Sequence, residues 1–168
     1  MNYCTIYKRD LVNGLGVRCS LFVSGCSLHC PGCFNQKAWN EEYGKPYTKE
    51  TEDSIIRYMQ APYVAGLTLL GGEPMEPHHQ QYVWELISRV RRELPDKNIW
   101  LYSGYTLEQL RAMSTPYVEK ILSNVDVLVE GRFIQALKDP DIPFRGSSNQ
   151  RIIDMRKTGA GEPVLLMP

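Results

Sequence analysis

Three cysteines, Cys26, Cys30 and Cys33, fall within the eight residues CSLHCPGC. Thiolates gathered this closely are ligands for soft metals. Two kinds of centre fit. Cys26, His29, Cys30 and Cys33 would make a Cys3His zinc set. Alternatively, the three cysteines would hold three irons of a 4Fe–4S cluster and leave one iron open to a ligand from outside the protein. Clusters that only carry electrons usually close all four positions with cysteine. A loop with no evident fourth partner therefore suits chemistry at iron. Zinc sites more often join two separated ligand pairs across a fold that lacks a core, and this chain has apolar runs of its own. The loop leans toward iron–sulfur, and zinc stays open.

The two remaining cysteines do not extend the set. Cys19 shares a predicted strand face with Leu21 and Val23, which suits a small buried apolar side chain. Cys4 reads as an incidental thiol. A second stretch, Gly71-Gly72-Glu73-Pro74, follows the apolar run LTLL. Its glycines allow close backbone approach to a ligand, and Glu73 adds negative charge. That combination suits an ammonium group better than a phosphate. Neither G-x-G-x-x-G nor a Gly-Lys-Ser/Thr ending is present. Alone, GGEP reads as a turn. Placed at the end of the next buried strand after the cysteine loop, it becomes that loop's natural partner.

The elements that must position these residues follow from periodicity. VRCSLFVSG (17–25) reads as a strand. Thr48 is the expected N-cap of a helix at 49–60, with Glu50 and Glu52 in its first turn. LTLL (67–70) suits a strand buried on both faces. Val83, Leu86, Ile87, Val90 and Leu94 mark one face of a helix at 78–94. NIWLYS (98–103) is a strand. Thr106 and Gln109 suggest a capping box for a helix at 107–113, and Thr115-Pro116 is expected to start another. VDVLVEG (125–131) and a segment within 150–155 complete the strands. The tail reads as a turn and an extended end.

Alternating strands and helices predict an α/β fold with mainly parallel strands. A closed eight-stranded barrel needs about 250 residues, more than the 168 present. An open, partial (β/α) barrel is expected, with a doubly wound sheet as runner-up. Either builds its site from loops at the C-terminal strand ends. Cys26–Cys33, Gly71–Pro74, Ser103–Tyr105 and Gly131–Phe133 all occupy such loops. For Ser103, Tyr105, Glu130, Arg132, and the polar run Arg145 to Asn149, loop stabilisation and ligand contact stand equal. His78 and His79 open the long helix, without a metal role.

Lysines plus arginines and aspartates plus glutamates both number 19, so no net charge steers the chain to nucleic acid or an acidic membrane. No apolar run approaches the roughly 18 residues of a membrane span, and the N-terminus lacks a secretory pattern. An odd count of five cysteines, three clustered, is unlike a secreted disulfide framework. A cytoplasmic location is expected.

CSLHCPGC followed by GGEP resembles the radical S-adenosylmethionine superfamily. DLVNGLGVRCSLFVSGC, CPGCFNQKAW, LTLLGGEPMEP, NIWLYSGYTLEQL, VDVLVEGRF and FRGSSNQRIID are similar, in order and spacing, to the activating proteins of anaerobic ribonucleoside-triphosphate reductase. The likeness runs from residue 1 to about residue 155. It implies a partial barrel of the radical SAM type over 1–156, followed by a tail at 157–168 of unassigned role. By resemblance, Cys26, Cys30 and Cys33 ligate a 4Fe–4S cluster. S-adenosylmethionine takes the open iron through its amino and carboxylate groups. Gly71, Gly72 and Glu73 hold the methionyl amino group, and Gly32, Cys33 and Phe34 contact the adenosyl part.

The implied reaction is reductive cleavage of S-adenosylmethionine to a 5′-deoxyadenosyl radical, which takes a hydrogen from a glycine of the reductase. No protein side chain is catalytic in it. The reductase is the implied partner, and a flavodoxin-type protein the electron donor. Two residues depart from the pattern. Gly32 stands where many superfamily members carry an aromatic, with Phe34 following the third cysteine. Leu15 replaces the proline of an Asn-Gly-Pro-Gly turn. A sibling activating enzyme for another glycyl-radical protein and a zinc-stabilised interaction module are the alternatives.

Overall fold

The helices of the main core pack against one face of a single sheet. The computed structural model describes residues 1–167. The chain opens with β1 (Asn2–Asp10), β2 (Val17–Val23) and the short β3 (Lys45–Pro46), followed by α1 (Lys49–Met59). β4 (Val64–Gly71), α2 (Gln80–Glu93) and β5 (Asn98–Ser103) come next. Then follow α3 (Leu107–Arg111), α4 (Val118–Leu122), β6 (Val127–Glu130), β7 (Arg151–Asp154), α5 (Met155–Thr158) and β8 (Leu165–Met167). The eight strands form one sheet in the order β3-β1-β2-β4-β5-β6-β7-β8. β2, β4, β5 and β6 run parallel, while β1, β3, β7 and β8 add antiparallel edges. Among the described residues no helix is long and apolar enough to cross a membrane.

The two sheet faces differ in kind. On one, Ile55, Ile56 and Met59 of α1 and Val83, Leu86, Ile87 and Val90 of α2 meet Cys19, Leu21, Leu67, Leu69, Ile99 and Leu101. α3 and α4 add Leu107, Leu110, Val118 and Ile121 to the same core. On the other face Trp100, Val127, Val129 and Ile152 form a smaller cluster with Phe144 and with Leu166 and Met167 of β8. Among the described residues no α-helix contributes to it. A doubly wound sheet carries helices on both faces, so that runner-up is set aside. The fold is α/β with a mixed, open sheet.

Arg18 closes the base of the helix-free face. Its side chain is fully buried and donates to the Leu67 carbonyl at 2.6 Å and the Thr68 hydroxyl at 3.0 Å. Burial pulls its guanidinium down to about 10. It stays charged at neutral pH and is satisfied by oxygens, as a buried ion must be.

Capping agrees with the sequence. The Thr48 hydroxyl accepts from the Thr51 N–H at 3.3 Å, and Thr106 and Gln109 bond reciprocally at 3.2 and 2.9 Å. Other expectations need correction. The long helix begins at Gln80, because 74–79 form turns ahead of it. Pro116 does not start a helix; the N-cap is Tyr117 and α4 follows it. β6 and β7 pair antiparallel without a crossover α-helix, so strict strand–helix alternation ends at β6. β1 was absent from the expected strands. The tail is described to Met167 and supplies part of α5 and the edge strand β8; Pro168 lies outside the described residues.

Candidate functional site

A cavity of about 680 Å³ opens on the helix-free face, within the usual range for small-molecule sites. Cys26, Cys30, Gly32, Cys33, Phe34, Gly71, Gly72 and Glu73 all line it, with Tyr102, Ser103, Gly104 and Gly131. These residues leave the C-terminal ends of the four parallel strands β2, β4, β5 and β6. The expected rim is therefore assembled in one place. Residues from Phe133 to Gln150 run across the cavity as a strap, with Phe144 edge-on against Trp100 at 5.3 Å.

The two motif loops are joined main chain to main chain. The Gly72 N–H donates to the Val23 carbonyl and the Glu73 N–H to the Gly25 carbonyl, each at 2.8 Å. A Cβ on Gly72 would stand 2.3 Å from the Gly25 oxygen and 3.0 Å from the Ala38 oxygen. Only glycine lets the loops approach so closely. A second tie comes from Glu76, which is 5% exposed. One of its carboxylate oxygens accepts both the N–H and the hydroxyl of Ser27, at 2.7 and 2.6 Å. From the β6 side, the Arg132 guanidinium donates to the Leu28 carbonyl. Glu76→Ala is expected to free Ser27 beside Cys26 and lower iron uptake on anaerobic reconstitution by about half or more, since charged hydrogen bonds are the stronger kind. Iron per folded chain measures it.

Glu73 is 1% exposed. One carboxylate oxygen accepts from the Met75 N–H at 2.8 Å and the Ser103 hydroxyl at 2.9 Å, and the other from the Gly104 N–H at 2.7 Å. Burial pushes its carboxyl up to about 7, against the pull of these donors, and the Glu76 charge adds to the rise. Glu73 thus ties the β4 loop to the β5 loop at the cavity wall. A Cβ on Gly104 would collide with the Leu28 side chain at 2.3 Å, so the cysteine loop also rests on the β5 turn.

Three cysteines border the cavity. Cys30 is buried and Cys26 and Cys33 are half-buried, with the Cys33 N–H donating to the Cys30 carbonyl at 3.0 Å. Burial pushes the Cys26 thiol up to about 11; a bound cation reverses that preference and holds the thiolate. Cys19 is fully buried in the helix-side core, where burial takes its thiol to about 12. Cys4 is occupied with the Ser24 hydroxyl at 3.2 Å. Neither lines the cavity. His29 lies against Trp39, ring centres 4.6 Å apart. Among the described residues no three His, Cys, Asp or Glu side chains are gathered tightly enough to hold one metal ion. Phe34 is 91% exposed at the cavity lip.

The comparisons with known proteins decide the family. Residues 12–153 match the family model of a 4Fe-4S single cluster domain. The anaerobic ribonucleoside-triphosphate reductase-activating protein of Escherichia coli K12 is 44% identical over 158 residues, covering 93% of this chain and all of that protein. The protein of the same name from Vibrio cholerae is 47% identical over 154 residues, 90% of this chain and 97% of its own. That of Enterobacteria phage T4 is 38% identical over 152 residues, 90% and 93% respectively. The chain belongs to this family of activating proteins.

For an activating protein of this family, the rim residues without an assigned role divide clearly. Glu130 is 1% exposed, accepts from the Leu107 N–H at 3.1 Å and pairs with Arg151; it holds the start of α3 to β7. The Asn149 amide donates to the Arg132 carbonyl at 2.8 Å, and an Arg145 nitrogen to the Gln150 carbonyl at 3.2 Å. These residues fasten the strap. Ser103 serves Glu73, and its hydroxyl also accepts the Tyr105 N–H at 3.1 Å. Ser27, Glu76 and Tyr102 escaped the sequence reading. Their types are ordinary for a turn, a helix approach and a strand, and only the folded contacts single them out.

Proposed function

We propose that the chain activates anaerobic ribonucleoside-triphosphate reductase as a radical SAM enzyme, with 1–156 as the working domain on a partial (β/α) barrel and 157–168 as a tail. The observation that carries this is one cavity lined by three cysteines without a fourth and by the Gly71-Gly72-Glu73 loop. Cys26, Cys30 and Cys33 would hold a 4Fe–4S cluster, and Gly71, Gly72 and Glu73 the amino group of S-adenosylmethionine. Gly32, Cys33 and Phe34 would meet its adenosyl part. When bound, this pair of cofactors supplies one-electron cleavage of the sulfonium to methionine and a 5′-deoxyadenosyl radical, which takes a hydrogen from a reductase glycine and leaves a glycyl radical.

The protein's own part is to hold and exclude. Glu73 fixes the β4 and β5 loops and offers carboxylate oxygens to the N–H groups of the bound amine. Gly72 locks the two loops at one separation. The strap from Phe133 to Gln150 covers part of the helix-free face through Phe144 against Trp100. The electron donor is proposed to be a flavodoxin-type protein and the location the cytoplasm; balanced charge favours neither nucleic acid nor membrane as partner.

Anaerobically reconstituted protein, reduced with S-adenosylmethionine and a purified anaerobic ribonucleoside-triphosphate reductase, tests this. A glycyl-type doublet in electron paramagnetic resonance is expected, with about four irons per chain. A doublet only with another glycyl-radical protein would move the partner. Stoichiometric zinc without cleavage of S-adenosylmethionine would refute the function.

A further inference from the structure

The Leu28–His29 peptide is held from both sides. Its N–H, together with that of Leu28, hydrogen-bonds the Cys26 sulfur. Its carbonyl accepts from the Arg132 guanidinium. Carbonyl and N–H belong to one planar unit, so a pull on the oxygen aims and polarises the N–H that faces the sulfur. His29 meets this arrangement with φ +45°, in the left-handed region that side chains rarely adopt. Its ring lies against Trp39, 4.6 Å between centres. Strain of that kind clusters at functional positions. The chain that carries Arg132 is fastened too. The Arg132 carbonyl accepts the Asn149 amide and the Gly131 carbonyl the Gln150 amide, both at 2.8 Å. Among the described residues Arg132 pairs with no carboxylate, whereas Arg89, Arg91 and Arg151 each do. Its positive charge is left uncancelled beside the cysteine loop.

We propose that Arg132 is a positioning residue that raises the reduction potential of the cluster, acting on Cys26 through the Leu28–His29 peptide. This rests on the cluster ligation proposed above and adds the group that eases reduction. One electron taken from the donor makes the cluster and its thiolates more negative by one charge. Hydrogen bonds to ligand sulfur and nearby positive charge stabilise that added charge, and both raise the potential. Glu76 holds Ser27 in the same loop, but as an acceptor and an anion, so it braces the loop without favouring electron entry. Arg132 is exposed, and solvent screening keeps its effect moderate.

R132Q keeps a side-chain N–H donor and loses the charge, while R132K keeps the charge. Anaerobically reconstituted proteins are titrated with dithionite and mediators, without S-adenosylmethionine or reductase. Electron paramagnetic resonance reads the reduced cluster. At a fixed potential the ratio of reduced to oxidised cluster is expected to fall about 5-fold in R132Q, which is about 40 mV for one electron. It should return close to wild type in R132K. Iron per chain should be unchanged in both, because Glu76 and Gly72 still tie the loop. A wild-type potential in R132Q, or loss of its iron, would make the contact a brace alone and overturn the proposal. R132K behaving as R132Q would trace the shift to loop position and not to charge, and overturn it equally. A wild type that assembles no redox-active cluster is a separate result, which refutes the function proposed above. A potential that follows the charge without cleavage of S-adenosylmethionine would uphold the role of Arg132 and refute that function alone.

Discussion

Cys30→Ala is expected to leave a folded protein that cannot hold its cluster. Cys30 sits in the loop after β2 and packs into neither hydrophobic cluster, so its sulfur supports the site and not the core. Two cysteines remain on the cavity, too few to replace a three-point attachment. Iron should fall from about four per chain to below one after desalting, and the charge-transfer colour should go with it. Cleavage of S-adenosylmethionine and glycyl radical formation should drop to background. Far-ultraviolet circular dichroism should be unchanged and the melting temperature of the metal-free protein should move by no more than about 4 °C. A variant that keeps its iron and still cleaves would show that the cluster is bound elsewhere.

The split between core and site also explains what the sequence makes legible. Buried parallel strands announce themselves as apolar runs, and LTLL and VDVLVEG lie within or across β4 and β6. α1 and α3 are marked by hydroxyl caps whose bonds are local. β1 is harder. Its residues are mostly half-buried or exposed, because it lies near a sheet edge, so the alternation is blurred. The antiparallel β6–β7 pairing depends on the long strap between them, which has no helical period to read. In the site, cysteine spacing and glycine pairs are chemical signals carried by a few adjacent residues. The contacts that brace them are not. Ser27 meets Glu76 across 49 residues and Glu73 meets Ser103 across 30, and nothing local to either partner records the meeting. Ser103 was a candidate for ligand contact, yet its hydroxyl serves the Glu73 carboxylate. A polar residue on a rim can hold the wall as well as touch what the wall encloses.

Glu73→Gln should separate charge from shape at that wall. The carboxylate receives three donors, and a glutamine must turn its own NH2 toward one of them. Affinity for S-adenosylmethionine is expected to fall about 10- to 100-fold. The pH dependence carries the sharper signature. Burial raises the Glu73 carboxyl from an ordinary 4.5 to about 7, so the folded protein binds this proton more tightly than the unfolded chain does. Its stabilising contribution is full below about pH 4.5 and is lost as pH rises through 7, on the order of 3 kcal/mol in all. His79, whose imidazole burial holds below its usual value, slopes the other way as pH falls. The difference between wild type and variant therefore isolates Glu73. Urea unfolding at pH 5 to 8 should show wild type losing stability relative to the variant across that window. An arriving amino group reverses the balance, because its N–H donors favour the ionised carboxylate. S-adenosylmethionine should accordingly gain more affinity between pH 6 and pH 8 in the wild type than in the variant, and release more protons below pH 7. Parallel pH profiles for the two proteins would mean that Glu73 is ionised throughout and that its role is confined to bracing the loops.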